Sequence, residues 1–73
     1  MNEFLGTRIQ NAREHRGLSQ KEAANRVGVQ KSTWSLYESD SRRPSVDTLA
    51  VIARELEVST DYLVGLTDEM ECK

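Results

Sequence analysis

Apolar residues recur along this chain at the spacing of α-helices, and no run alternates as a β-strand would. In the first predicted helix, Leu5, Ile9 and Ala12 lie at positions i, i+4 and i+7, which places them on one face. Gly17 follows and favours a helix end near residue 16. The pattern predicts an all-α chain that begins with a short amphipathic helix.

Two more helices are predicted between residues 19 and 38. Ser19 with Glu22 three residues later forms a capping box, and Gly28 ends the helix that this box opens. The next helix covers QKSTWSLYE, in which Trp34 and Tyr37 lie three residues apart on one face. Two short helices joined by a tight glycine turn form a helix-turn-helix, whose second helix presents polar groups to a DNA groove.

Two final helices follow. Ser45 is the predicted N-cap of the fourth helix, whose apolar stripe runs from Leu49 to Leu56. Ser59 is the predicted N-cap of the fifth helix, which Gly65 ends. The sequence therefore predicts five short helices.

Length and composition limit the class of protein. The chain has 73 residues, of which 37% are hydrophobic, so we expect one small domain with a small core and no large buried pocket. We assign residues 1–66 to this domain and expect residues 67–73 to fray, because only Met70 and Cys72 are apolar there. No uncharged stretch exceeds six residues, whereas a membrane helix needs about 20 apolar residues.

Candidate catalytic and metal-binding residues are few. The chain has one histidine, His15, and one cysteine, Cys72, so a metal cluster or a histidine-activated nucleophile lacks its other members. We therefore predict no enzymatic activity, no metal, no cofactor and no small-molecule ligand. Cysteine usage and the lack of an apolar leader favour a cytoplasmic protein without a membrane partner.

The net charge of −2 conceals an asymmetry along the chain. Residues 1–43 contain eight Lys and Arg against five Asp and Glu, whereas residues 44–73 contain two against seven. Because a binding surface responds to local charge, the first half can still meet a polyanion. The acidic second half leaves a rival hypothesis open, in which the chain is an antitoxin-like or adaptor module that binds a basic partner.

The segments GLSQKE, STWSLYE, RRPS and VSTDYLVG, in this order, resemble the phage-repressor-type (Xre, Cro/cI-like) helix-turn-helix proteins. The resemblance extends from about Ile9 to Gly65. It implies a compact five-helix bundle of the lambda-repressor-like type that binds double-stranded DNA. It also implies a transcriptional regulator, typically a repressor, that acts as a homodimer on a palindromic operator.

The resemblance further implies roles for individual residues. The residues that would face the bases are Gln30, Lys31, Ser32 and Leu36. Those that would contact phosphates are Gln20, Thr33, Ser35, Arg42 and Arg43. Arg13 and Glu38 would pair to join the first helix to the third, although a surface pair of this kind would contribute little. The residues placed at a dimer surface are Val58, Tyr62 and Leu66, and closure of the domain's own core is the alternative role for the last two.

Several positions depart from the pattern of this family. Leu36 stands where many relatives have a hydrogen-bonding side chain, and contact with a thymine methyl group is a physical substitute. Asp40 replaces the usual glycine, so we expect either a strained turn or use of the tolerance of Asp for the left-handed region. Trp34 stands where Ile or Val is usual, and it could pack in the core or stack on a base.

Overall fold

The computed structural model describes residues 5–70 and contains five helices in that range. They are α1 (Leu5–His15), α2 (Gln20–Val27), α3 (Lys31–Glu38), α4 (Val46–Leu56) and α5 (Thr60–Leu63). The described part of the chain has no β-strand. The predicted all-α, five-helix fold is therefore confirmed.

The helix boundaries follow from the predicted capping residues. A serine hydroxyl accepts a hydrogen bond from the backbone N–H three residues later at the start of three helices: Ser19 of α2 from Glu22, Ser45 of α4 from Thr48, and Ser59 of α5 from Tyr62. Each bond satisfies one of the N–H groups that a helix start leaves without an intrahelical partner. The caps that the sequence predicted thus determine where these helices begin.

The core takes side chains from every helix. Trp34 of α3 has no exposed surface and is the largest fully buried side chain; the others are Ile9, Ile52, Leu56, Val58 and Leu63. The ring of Tyr37 lies edge-on to Trp34, with the ring centroids 6.4 Å apart. Trp34 is therefore a core residue and cannot stack on a base in this conformation.

α1 crosses the C-terminal end of α3 at Gly6. A Cβ atom at Gly6 would lie 2.4 Å from the carbonyl oxygen of Glu38, so the two backbones approach as closely as glycine allows. Asp40 adopts a left-handed conformation, with φ at 62°, and its Oδ1 accepts a hydrogen bond from the Gly6 backbone N–H at 3.0 Å. Asp40 thus forms the left-handed turn and also caps α1, which accounts for an aspartate at this position.

Residues 67–70 lie against the helical body. Arg8 donates from Nη1 to the Thr67 carbonyl oxygen and from Nη2 to Asp68 Oδ1, both at 2.9 Å. The backbone N–H of Ser59 donates to the carbonyl oxygen of Met70 at 2.7 Å. Residues 71–73, with Cys72, lie outside the described residues, as do residues 1–4. The domain boundary at residue 66 and the fraying of residues 67–73 stay predictions.

Candidate nucleic-acid interface

The turn between α2 and α3 orients the two helices. Gly28 has a left-handed φ of 88°, and its N–H donates to the carbonyl oxygen of Ala24 at 2.8 Å. The N–H of Val29 donates to the same oxygen at 3.0 Å. Ala24 is 1% exposed, so a small side chain lies beside this turn. Backbone hydrogen bonds therefore fix the turn from which α3 begins.

The start of α2 is fixed by the predicted capping box. Glu22 accepts a hydrogen bond from the Ser19 backbone N–H at 2.8 Å, and Ser19 Oγ accepts one from the Glu22 backbone N–H at 3.0 Å. The hydrogen bonds from the backbone and side chain of Ser19 lower the pKa of Glu22 below its ordinary value. This box places Gln20 at the first residue of α2.

The four residues that the sequence places opposite the bases are all exposed: Gln30, Lys31, Ser32 and Leu36. Gln30 is the N-cap of α3 in an extended conformation, and its side chain makes no capping hydrogen bond. Lys31 and Ser32 occupy the first turn, and Leu36 lies one turn beyond Ser32 with 41% of its surface exposed. The start of α3 thus offers an amide, an ammonium group and a hydroxyl, followed by an apolar side chain.

The residues that the sequence assigns to phosphate lie in different surroundings. Thr33 and Ser35 are half-buried, whereas Arg42 and Arg43 are exposed in the loop after α3. Their loop is held to α3 because the N–H groups of Ser41 and Arg42 both donate to the carbonyl oxygen of Leu36, at 3.0 and 3.2 Å. These two arginines therefore follow the C-terminal half of α3, away from its first turn.

Three cations near α3 are available to an external anion. Within residues 5–70, Lys31, Arg42 and Arg43 form no ion pair. Lysine and arginine donate hydrogen bonds to phosphate oxygens, and both suit the O6 and N7 acceptors of guanine.

Within residues 5–70, no group of three or more His, Cys, Asp and Glu could hold a metal ion. None of the described helices is long and apolar enough to span a membrane.

The carboxylate of Glu38, at the end of α3, accepts hydrogen bonds from three other side chains. Arg13 donates from Nε to Oε2 at 2.6 Å and from Nη2 to Oε1 at 3.2 Å. Trp34 donates from Nε1 to Oε2 at 2.5 Å, and Gln20 donates from Nε2 to Oε1 at 3.0 Å. The side chains of Arg13 and Glu38 are only 12% and 6% exposed. The pair is thus largely buried. Gln20, for which the sequence predicts a phosphate contact, is also hydrogen-bonded to this pair.

Two of the three residues that the sequence placed at a dimer surface lie in the core of the single chain. Val58 is 1% exposed and Tyr62 is 4% exposed, because both pack into the core of the single chain. The guanidinium of Arg8 also covers the Tyr62 ring, at 4.4 Å from its centroid. Of the three residues, only Leu66 is exposed, at 77%. For Tyr62 the alternative role, closure of the core, is the one that the structure shows.

Two arginines that the sequence did not single out hold distant parts of the chain together. Arg16 donates from Nε to the Leu56 carbonyl oxygen at 2.6 Å and from Nη2 to the Glu57 carbonyl oxygen at 2.7 Å. These acceptors end α4, where carbonyl groups lack intrahelical partners. Arg8 binds the segment after α5, as described above. Arg8 lies within α1 and Arg16 directly follows it, and no local sequence pattern indicates partners so far along the chain.

Comparison with known proteins agrees with this geometry. The HTH_3 helix-turn-helix family matches residues 9–63. The HTH-type transcriptional regulator ImmR of Bacillus subtilis (strain 168) is 44% identical over 69 residues, which are 94% of this chain and 54% of ImmR. This chain thus spans about half the length of that curated relative.

Two solved structures with DNA share the fold. The P22 c2 repressor in complex with the synthetic operator 9T superposes with a TM-score of 0.80 and 27% identity, over 85% of this chain and 94% of that one. SinR, a master regulator for biofilm formation, in complex with DNA superposes with a TM-score of 0.78 and 34% identity, over 84% of this chain and 98% of that one. On the family match and these likenesses, the chain belongs to the HTH_3 family of helix-turn-helix proteins.

Proposed function

We propose that this chain is a sequence-specific regulator of transcription that binds double-stranded DNA with α3 in the major groove. The observation that carries the proposal is the first turn of α3, where Gln30, Lys31 and Ser32 are exposed on a helix whose other end is anchored through Glu38. Exposed polar side chains on a firmly held helix are what base reading requires. The relative ImmR, which is named as a transcriptional regulator, and the DNA complexes of the P22 c2 repressor and SinR support it.

In this proposal α3 makes the base contacts and the loop after it makes phosphate contacts. Lys31 donates to guanine O6 and N7, and Leu36 contacts a thymine methyl group. Arg42 and Arg43, in the loop that returns to Leu36, bind phosphate and supply affinity without sequence preference. The protein carries out no chemical step: it represses by occupying its operator in the cytoplasm.

We also propose that two copies bind a palindromic operator. A single domain with about four reading side chains covers few base pairs, and two-fold symmetry places half-sites about 34 Å apart. Leu66 supports this proposal, because it is 77% exposed after α5. Leu66→Asp should lower the mass of the complex with operator DNA, measured by analytical ultracentrifugation. The expected change is from two bound chains per duplex to one. A parent chain that binds its operator as a monomer would refute the proposed dimer without contradicting the proposed DNA binding.

Selection of bound sequences from random duplex DNA tests the proposed function. We expect enrichment of one motif with two inverted half-sites. The α3 helix of each copy selects the bases of one half-site, and the two-fold symmetry of the dimer repeats that half-site in inverted orientation. If the protein retains no duplex even at low salt, the function is wrong, and an adaptor module that uses the acidic residues 44–73 becomes the better hypothesis. Enrichment of a single half-site without symmetry would contradict the dimer alone.

A further inference from the structure

The Glu38 carboxylate has all its acceptor positions filled. An ionised carboxylate offers about four lone-pair positions, two on each oxygen. Oε2 accepts from Arg13 Nε and Trp34 Nε1, and Oε1 accepts from Arg13 Nη2 and Gln20 Nε2. The donors come from α1, α2 and α3, so this one group joins the three helices around the candidate interface.

Trp34 determines which oxygen is left for Gln20. Its indole is fully buried, and it lies one turn before Glu38 on the same helix, so its N–H has a fixed approach to Oε2. With Arg13 Nε on the same oxygen, no position remains there for a third donor. Gln20 can therefore bind only Oε1, and the carboxylate cannot rotate without breaking a hydrogen bond to a largely buried partner.

We propose that Trp34 is a positioning residue for DNA binding. By filling Oε2 of Glu38, its indole N–H directs Oε1 toward Gln20 and holds the Gln20 amide at the start of α2. This inference rests on the proposed function and on the phosphate contact that the family resemblance implies for Gln20. One amide hydrogen of Gln20 binds Glu38, and the second hydrogen remains to donate to a phosphate oxygen.

The physical gain is preorganisation. A glutamine side chain that is free in solution has several rotatable bonds, and ordering them on binding weakens affinity. A Gln20 amide already held by Glu38 avoids much of that loss. A tryptophan that merely packs in the core would affect stability, but its effect on DNA affinity would not depend on Gln20.

A double-mutant cycle separates these roles. The four proteins are the parent, Trp34→Phe, Gln20→Ala and the double variant, with affinity for the selected operator measured by fluorescence anisotropy of labelled duplex. Trp34→Phe keeps an aromatic ring and removes the N–H. We expect it to weaken binding about three- to tenfold when Gln20 is present, but less than about twofold in the Gln20→Ala background.

Two controls make the cycle decisive. Tyr37→Phe changes the other buried aromatic residue of α3, which touches Trp34 but has no hydrogen bond to Glu38 within residues 5–70, so binding should change less than about twofold. Circular dichroism must show each variant folded at the assay temperature. If Trp34→Phe does not fold, benzothienylalanine at position 34 replaces the N–H by sulfur in a ring of nearly the same shape.

The outcomes distinguish the inference from the function on which it rests. Equal losses in both backgrounds, or no loss in either, would overturn the positioning role while the parent still binds its operator. A parent that binds no duplex DNA would overturn the proposed function and the positioning role together.

Discussion

Replacing Glu38 by glutamine tests how strongly the buried ion pair holds α3. The variant keeps the size of the side chain but removes its charge and exchanges one acceptor oxygen for an NH2 group. Whichever way the amide turns, its NH2 faces N–H donors. Those donors are Arg13 Nε and Trp34 Nε1 at one position, and Arg13 Nη2 and Gln20 Nε2 at the other.

The structure places the expected loss near the lower end of the range for buried pairs. Removing one partner of a buried ion pair costs about 3–5 kcal/mol. Arg13 keeps a hydrogen bond from Nη1 to the Leu18 carbonyl oxygen at 2.7 Å, and 12% of its side chain is exposed, so solvent can compensate part of its charge. We expect Glu38→Gln to lower the free energy of unfolding by about 3 kcal/mol.

Such a loss is large for this domain. Its total free energy of unfolding should be about 4–10 kcal/mol, and the melting temperature should fall by about 12–24 °C. Urea and thermal melts measure both quantities. Glu14→Gln is the matched control, because Glu14 lies 3.7 Å from the same guanidinium but is 57% exposed, so its loss should stay below about 1 kcal/mol. Equal losses for the two variants, or an unchanged midpoint for Glu38→Gln, would refute the reasoning.

Three further predictions concern stability. Gly6→Ala should cost about 1–3 kcal/mol, because its Cβ would lie 2.4 Å from a backbone oxygen; an unchanged midpoint in urea melts would contradict the close crossing. Ending the chain at Leu66 removes two acceptors of Arg8 and should cost about 2 kcal/mol, and an unchanged melting midpoint would mean that residues 67–70 add nothing. The pKa of Glu22 is lowered in the folded state, so its stabilising effect is complete above the unfolded pKa and fades as pH falls through the folded pKa; thermal melts of Glu22→Gln should lack this fading between neutral and acid pH, and a parent-like fading would contradict it.

The helices could be predicted from the sequence because their signals are local. Ser19, Ser45 and Ser59 each form the predicted cap with a residue three positions on, and Gly28 makes the predicted turn. The exposed start of α3 was likewise predictable, since the helix-turn-helix pattern places polar residues there. Local hydrogen bonds and helical periodicity are properties of neighbouring residues and are therefore visible in the chain.

The remaining features depend on partners that are distant in sequence. Arg16 binds carbonyl oxygens near the end of α4, and Asp40 caps α1 from the loop after α3. For Val58 and Tyr62, the same apolar pattern fits a core residue and an interface residue. Arg8 decides the case for Tyr62, because its guanidinium covers the ring and binds the segment after α5. Only the three-dimensional packing distinguishes these alternatives.

The central claim is that α3 reads bases while the loop after it binds phosphate. Binding isotherms of the parent, Lys31→Ala and Arg43→Ala on the selected operator and on scrambled DNA, over a series of salt concentrations, test it most directly. Lys31→Ala should cost about 1–3 kcal/mol on the operator and relax preference at one base pair per half-site. Arg43→Ala should weaken both duplexes alike and reduce the slope of log affinity against log salt by about 1 for the phosphate contact that is lost. If Arg43→Ala instead changes base preference while Lys31→Ala weakens every sequence equally, α3 does not lie in the groove as proposed.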